Sequence, residues 1–136
     1  MSADASPIAA DKSRAELDRI SEAIIGAAHR VSSSLGVGFL EKVYENALAL
    51  ELRQAGWAVE QQRPIEVRYR DTVVGEYFAD LLVEDSILVE LKAAACLSHT
   101  HHSQCVHYLR ATGRRVCLLL NFGRPRLELQ RIVNRF

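Results

Sequence analysis

Two segments near the start of the chain repeat apolar residues at helical spacing. The first begins at Ser13, where Glu16 three residues later forms a capping box, and its pattern predicts a helix that ends near Ser33. The second covers residues 40–55 and has a glycine as its stop signal. Residues 1–12 are small and polar, which predicts a disordered tail before a single domain at 13–136. Two helices therefore precede every predicted strand.

After residue 56 the apolar pattern takes the period of β-strands. The predicted strands cover residues 57–62, 65–69, 74–83, 87–92, 116–122 and 127–133, with turns at Arg63 and Pro64 and at 70–72. A third helix at 100–111 lies between two of these strands and is expected to cross over between them. The order of elements predicts an α/β fold in which helices flank a mixed β-sheet.

Charged residues interrupt the apolar run VGEYFADLLVEDSILVELK. Strand alternation places Glu90 and Lys92 on one face, and the polar break at 84–86 predicts a hairpin with the preceding strand. A three-residue loop sets Asp80 opposite Glu90, whereas a two-residue loop would set it beside Val89. Opposed residues have Cβ atoms about 4.5–5.5 Å apart, which is close enough for two carboxylates to share one divalent cation.

These residues suit metal-assisted chemistry. Asp80 and Glu90 supply the oxygen ligands that hard cations prefer, and the carbonyl of Leu91 between them could be a further ligand. Lys92 could orient or help deprotonate an attacking water and offset negative charge in a transition state. The alternative is that Glu90 and Lys92 form an ordinary ion pair on an exposed sheet face.

Two helical residues are further candidates. Glu41 lies at the edge of the apolar face of the second helix and could reach the metal directly or through water; alternatively, it is a first-turn acid favoured by the helix dipole. Gln104 shares one face of the third helix with His101, Cys105 and Tyr108, and it could hydrogen-bond a phosphate or the attacking water.

Composition and charge add little about the partner. The formal net charge is zero, but residues 101–136 carry seven arginines and only one acid, Glu128. These arginines could contact phosphates, or they could pair with acids from the rest of the chain. The three cysteines lack metal or disulfide spacing and are expected to be small buried hydrophobes. No signal peptide or membrane-spanning run is apparent, so a cytoplasmic protein without a membrane partner is predicted.

The order of the motifs resembles a known family. Asp80 followed by Glu90 and Lys92 is similar to the core of the PD-(D/E)XK nuclease superfamily, and GFLEKVY matches the signature of the small bacterial GxxExxY family within it. The stretches QRPIEVRY, GEYFADLLVE, ILVELKA, HHSQCVHYL and LLLNFG look like successive blocks of that family. One departure is Ala79, which stands where the superfamily pattern has proline.

The resemblance implies a restriction-endonuclease-like fold and hydrolysis of nucleic acid, DNA in preference to RNA, with Mg²⁺ or Mn²⁺. By matching position, Asp80 and Glu90 are metal ligands, Lys92 is the catalytic lysine, and Glu41 is the helix acid. His101 and Gln104 belong to the HxxQ block. A second hypothesis is a catalytically inactive module that keeps the fold and binds nucleic acid or a protein. Because the chain is small, a homodimer that embraces a duplex is also considered.

Overall fold

The computed structural model describes residues 12–134, and the predicted disordered tail lies outside these residues except for Lys12. Helix α1 covers Arg14–Leu35 and helix α2 covers Glu41–Gln54. Strands β1, β2 and β3 cover Val59–Tyr69, Thr72–Val83 and Ile87–Lys92, helix α3 covers His99–Thr112, and strands β4 and β5 cover Val116–Asn121 and Glu128–Val133. The capping box predicted at Ser13 and Glu16 is confirmed, since each residue's backbone N–H donates to the other's side chain.

The five strands form one sheet in the order β1-β2-β3-β4-β5. Neighbouring strands are antiparallel except β3 and β4, which are parallel. A parallel pair needs a long crossover connection, and α3 supplies it, as the sequence predicts. The predicted α/β fold with a mixed sheet is therefore confirmed.

The predicted turn at Arg63 and Pro64 is wrong, because both residues lie within the continuous strand β1. A proline cannot donate a backbone hydrogen bond, but β1 is an edge strand and pairs only with β2. The turn predicted at 70–72 is confirmed: the chain turns at Arg70 and Asp71, both of which have positive φ, as a two-residue hairpin turn of type I′ requires.

Helices cover both faces of the sheet. Helices α1 and α2 pack their apolar residues against Leu81, Val89 and Leu118 on one face. Helix α3 packs Cys105, Tyr108 and Leu109 against the other face. The strands in the middle of the sheet are buried on both faces, which explains the near-continuous apolar sequence of β3 and β4. Charged residues within such strands therefore lie in a desolvated environment.

Two of the C-terminal arginines pair with acids from the earlier part of the chain. The buried Arg114 contacts Asp85 at 3.0 Å, and Arg131 contacts Asp18 at 2.7 Å. For these two, the structure favours pairing over phosphate contact. Cys105 and Cys117 are buried, as predicted, whereas Cys96 is exposed because it follows β3 in the loop before α3. None of the helices within residues 12–134 is long and apolar enough to cross a membrane.

The segment after β3 is held by the end of β4. Asn121 is fully buried, and its side-chain oxygen accepts hydrogen bonds from the N–H groups of Ala94 (2.9 Å) and Gly123 (3.0 Å). Its amide group donates to the carbonyl of Ala94 (3.0 Å) and to Glu128 (3.1 Å). Four hydrogen bonds to one buried amide fix the path of the chain immediately beyond Lys92.

We expect Gly123→Ala to lower the free energy of unfolding by about 1–3 kcal/mol, the usual cost of overpacking. An added Cβ would overlap the backbone N and O of Ala94 and lie 2.7 Å from the carbonyl carbon of Ala93. Urea unfolding measures the change. The matched control is Gly26→Ala within α1, where the nearest atom is the end of the Arg30 side chain at 3.6 Å. That variant should gain about 0.5–1 kcal/mol from helix propensity, and an equal loss in both variants would contradict the predicted clash.

Candidate active site

The hairpin of β2 and β3 brings Asp80 and Glu90 together. Its paired residues are Val83 with Ile87, Leu82 with Leu88, and Leu81 with Val89, around the three-residue loop 84–86. The same register, continued by one residue, sets Asp80 opposite Glu90. The three-residue loop is therefore the one present, and the alternative pairing of Asp80 with Val89 is excluded.

The two carboxylates take the place of the next backbone hydrogen bonds between these strands. The backbone N–H of Asp80 donates to Oε2 of Glu90 at 2.9 Å, and the backbone N–H of Leu91 donates to Oδ2 of Asp80 at 2.8 Å. Each carboxylate is thus anchored by the opposite strand. Regular pairing of β2 with β3 ends at this point, and the side chains fill the space between the strands.

Burial and mutual repulsion disfavour charge on this pair. Glu90 is only 3% exposed, and burial followed by the negative charge of Asp80 raises its pKa to about 9. Burial also raises the pKa of Asp80, while hydrogen bonds from Leu91 and Gln62 oppose the rise. The positive charge of Lys92 lowers the pKa of Glu90, but this is a smaller effect. The pair therefore holds a proton near neutral pH unless another positive charge compensates the negative charge of the two carboxylates.

A divalent cation fits this donor set. The carboxylates of the buried Glu90 and the half-buried Asp80, whose pKa values are raised, offer the oxygen ligands that hard cations prefer. Within residues 12–134, no group of three or more His, Cys, Asp or Glu side chains is arranged to hold a metal. Asp80 and Glu90 would therefore provide the side-chain ligands, and water, phosphate or a main-chain carbonyl would complete the coordination, as is usual for Mg²⁺. That Leu91 supplies this carbonyl stays a prediction.

A further carboxylate, that of Glu45 on α2, lies next to the pair of Asp80 and Glu90. It is 4% exposed and accepts hydrogen bonds from Lys42 at 3.1 Å and from the side-chain amides of Gln61 and Gln62, both at 2.8 Å. The amide of Gln62 also donates to Oδ1 of Asp80 at 3.2 Å. Gln62 therefore links the two carboxylates, and Glu45 holds it in place.

The side chain of Gln62 reaches this position because its backbone is unusual. Its φ is +53°, which is uncommon for a residue other than glycine, and the β1–β2 pairs skip it, passing from Gln61 with Leu81 to Arg63 with Ala79. Sequence reasoning missed Gln62, for which the sequence offers no signal. It also missed Glu45, although the helical position of this residue beside Tyr44 and Leu48 predicts burial.

Glu41, the helix acid of the sequence-based prediction, is exposed in the first turn of α2. Its negative charge raises the pKa of Asp80 less than that of Glu45 does, so both acids are near the pair. Tyr44 of the same motif is buried, donates to the carbonyl of Gly36 at 2.6 Å and stacks on Phe122 at 4.9 Å between ring centroids. It fixes the loop that leads into α2 and hence the position of Glu41.

The residues predicted on α3 contact their own helix. His101 accepts a hydrogen bond from the N–H of Ser98 at 3.1 Å and so caps the helix. Gln104 donates to the hydroxyl of Tyr108 at 3.0 Å. Burial and then the charge of Glu90 raise the pKa of Tyr108 to about 12. Its ring packs in the apolar cluster that contains Leu88, which shares a face of β3 with Glu90. The structure thus connects Gln104 to the site through Tyr108.

Comparison with known proteins gives a match over most of the chain. Residues 18–132 match the family model described as PD-(D/E)XK nuclease superfamily. Among curated proteins, none is significantly similar in sequence to this chain.

Solved structures share the fold at low sequence identity. LHK-Exo in complex with dAMP is 17% identical with a TM-score of 0.53, over 98% of this chain and 76% of that one. This protein is an alkaline exonuclease from Laribacter hongkongensis. SSO0001 is 16% identical with a TM-score of 0.53, over 88% of this chain and 60% of that one. The arrangement of helices on the five-stranded sheet is accordingly a restriction-endonuclease-like fold, and the chain belongs to the PD-(D/E)XK nuclease superfamily.

Proposed function

We propose that this chain is a nuclease of the GxxExxY family that hydrolyses phosphodiester bonds in nucleic acid, with DNA as the expected substrate, using Mg²⁺ or Mn²⁺. The observation that carries the proposal is the pair of the half-buried Asp80 and the buried Glu90, whose carboxylates each accept a hydrogen bond from the backbone of the opposite strand, with Lys92 on the strand of Glu90. The superfamily to which the chain belongs supports the reaction class. The GFLEKVY motif, with its buried Tyr44, supports the narrower family.

In the proposed reaction a water oxygen adds to phosphorus and one P–O ester bond breaks, which leaves a phosphate monoester and a hydroxyl. Asp80, Glu90 and the carbonyl of Leu91 would hold the cation, and Glu41 could reach it through water. When bound, the cation would polarise the phosphate and lower the pKa of a water molecule at the site.

The other residues of the site would position the reacting groups and compensate their charge. The ammonium group of Lys92 would orient the attacking water and offset the negative charge that develops on the phosphate. Gln62 and Glu45 would keep the Asp80 carboxylate in one orientation through the hydrogen bonds of 3.2 and 2.8 Å. Asn121 would hold the chain after Lys92, and Gln104 would contact phosphate or water near Tyr108.

A catalytically inactive binding module is the alternative. It is favoured by the formal net charge of zero, because a nuclease usually needs a phosphate-binding surface. Isothermal titration calorimetry with Mg²⁺ and Mn²⁺, alone and with an oligonucleotide, separates the two proposals. Absence of metal binding in every case would favour the binding module.

Asp80→Asn and Lys92→Met should each lower the rate of oligonucleotide cleavage in Mg²⁺ by about 10²–10³-fold, since each removes charge at the reacting centre. Asp71→Asn, in the exposed β1–β2 turn, and Lys12→Met are matched controls that should retain activity. Gel-based cleavage of labelled DNA and RNA strands measures the rates. Cleavage that survives both site substitutions would rule out this site.

Substitutions of the two acidic residues of α2 should have different effects on stability and activity. Glu41→Gln should change the free energy of unfolding by less than about 0.5 kcal/mol, because the residue is exposed, yet it should lower kcat. Glu45→Gln should cost about 1–3 kcal/mol, because at this buried position it removes the ion pair with Lys42 and sets an NH2 group against the side-chain amide of Gln61 or Gln62. Urea unfolding and cleavage rates are the measurements. A stable Glu45→Gln variant with full activity would contradict the role given to Gln62.

In EDTA, the protein should lose stability as the pH rises from about 4.5 to about 9. The pKa of Glu90 is raised in the folded state from 4.5 to about 9, so the folded state binds more protons than the unfolded state between these values. Glu90→Gln should flatten this dependence and be the more stable protein at pH 8, by about 1 kcal/mol or more. Thermal unfolding at several pH values tests it, and a wild-type melting temperature that rises from pH 6 to 9 in EDTA would contradict it.

A further inference from the structure

A groove of about 1220 Å³ lies between α3 and the outer part of the β1–β2 hairpin. The hairpin projects beyond the sheet there, because β2 pairs with β3 only up to Leu81 while it pairs with β1 as far as Thr72. One wall of the groove is therefore a two-stranded ribbon, and the other is the length of helix α3. Asp80 and Glu90 do not line it.

The groove adjoins the candidate active site. Leu88 lies on its floor, and Glu90 follows two residues later on the same face of β3. Gln104 and Tyr108, which are hydrogen-bonded to each other at 3.0 Å, form part of its wall on the side of the carboxylates. A chain lying in the groove would thus extend toward Glu90 and Lys92.

Both walls carry arginines. Arg63 and Arg68 belong to β1, and the exposed Arg110 belongs to the last turn of α3. Arg63 pairs with Glu60 at 2.9 Å and Arg68 pairs with Glu66 at 2.8 Å, but surface pairs of this kind are weak. Glu60 and Glu66 also line the groove, so a phosphate competes with them for Arg63 and Arg68, whereas Arg110 forms no ion pair with another described residue. Charge complementarity points to a polyanion in the groove.

The groove also presents an aromatic ring. Tyr77 is 52% exposed and packs one side against Tyr108, with 5.8 Å between ring centroids. Support on one side and exposure on the other make a platform on which a base can stack. A duplex buries its base faces in its own stack, so such a platform serves unpaired bases.

We propose that this groove binds a single-stranded segment of the nucleic acid, with Tyr77 stacked on a base and Arg63 and Arg110 on phosphates. The proposal rests on the nuclease function for its placement of the scissile bond. It adds a substrate class, a strand that is unpaired next to the site of cleavage. DNA and RNA share the chemistry on which the groove acts.

Fluorescence anisotropy in EDTA, where cleavage does not occur, tests the proposal on the full chain. The probes are labelled 15-nucleotide single strands of DNA and of RNA, and a duplex of the same length. The single strands should bind more tightly than the duplex. Tyr77→Ala should raise the Kd for the single strand about 5- to 100-fold, whereas Tyr77→Phe should stay within about twofold because it keeps the stacking face.

Matched controls use residues outside the groove. Tyr69→Ala alters a tyrosine that is 62% exposed on the same hairpin, and Arg19→Ala alters an exposed arginine of α1. Both should leave the Kd within about twofold, since neither residue faces the proposed strand. Arg110→Ala should reduce the slope of log Kd against log salt by about 0.7, the value for one phosphate contact on a single strand. Circular dichroism verifies the fold, and Arg110→Ala and Tyr77→Phe keep the test valid if Tyr77→Ala does not fold.

Three results would overturn the proposal: equal effects of Tyr77→Ala and Tyr69→Ala, tighter binding of the duplex than of the single strands, or no binding of any of the three probes at low salt. The last would assign the groove to a different occupant, such as a peptide. Cleavage by the wild type without a preference for single strands would refute the groove and leave the nuclease intact. Tyr77-dependent binding without cleavage in Mg²⁺ or Mn²⁺ would refute the nuclease and leave the groove as a binding site.

Discussion

The reciprocal hydrogen bonds between Asp80 and the strand of Glu90 are the interaction on which the site depends. A backbone N–H on each strand donates to a carboxylate on the other, at 2.9 and 2.8 Å. These bonds satisfy backbone groups that the sheet leaves unpaired, and they hold two acids at a depth where their charges repel. Holding the two acids there disfavours their ionisation, since burial and the charge of Asp80 raise the pKa of Glu90 to about 9. A cation that occupied the pair would relieve both burial and repulsion, which links the fold directly to metal affinity.

The rest of the fold fixes this pair from three directions. Glu45 on α2 reaches Asp80 through Gln62, and Tyr108 on α3 packs in one apolar cluster with Leu88, two residues before Glu90. Asn121 at the end of β4 ties down the chain beyond Lys92 with its buried amide. Each contact comes from a different element, so the geometry of the pair depends on the packing of the whole domain rather than on one loop.

The site is built at an irregular point of the sheet. Ala79 and Leu82 both pack in the apolar cluster under α3, although residues three apart on a regular strand point to opposite faces. Asp80 lies between them, and Gln62 with its positive φ faces this point from β1. Beyond it the hairpin leaves the sheet and forms the ribbon wall of the groove. One local irregularity thus both orients the Asp80 carboxylate and opens the surface beside it.

The sequence alone determined the fold class, the order of the elements and the pair at the centre of the site. Helical and strand periods set the elements, and the three polar residues 84–86 set the loop length that places Asp80 opposite Glu90. Local patterns are sufficient there because a hairpin register depends on residues close in the chain. The error at Arg63 and Pro64 arose because a proline signals a turn unless its strand lies at the edge, and strand order is a property of the whole sheet.

Only the tertiary structure decided which residues surround the pair. The hydrogen bonds of Gln62 to Glu45 and to Asp80, and those of Asn121 to Ala94, join residues 17, 18 and 27 positions apart in the chain. No local period records such contacts, since each depends on how helices and strands pack. The same reason explains why Glu41 could be predicted as an acid near the site but not as an exposed one. The chemistry at the centre was encoded locally, whereas its supports were set by packing.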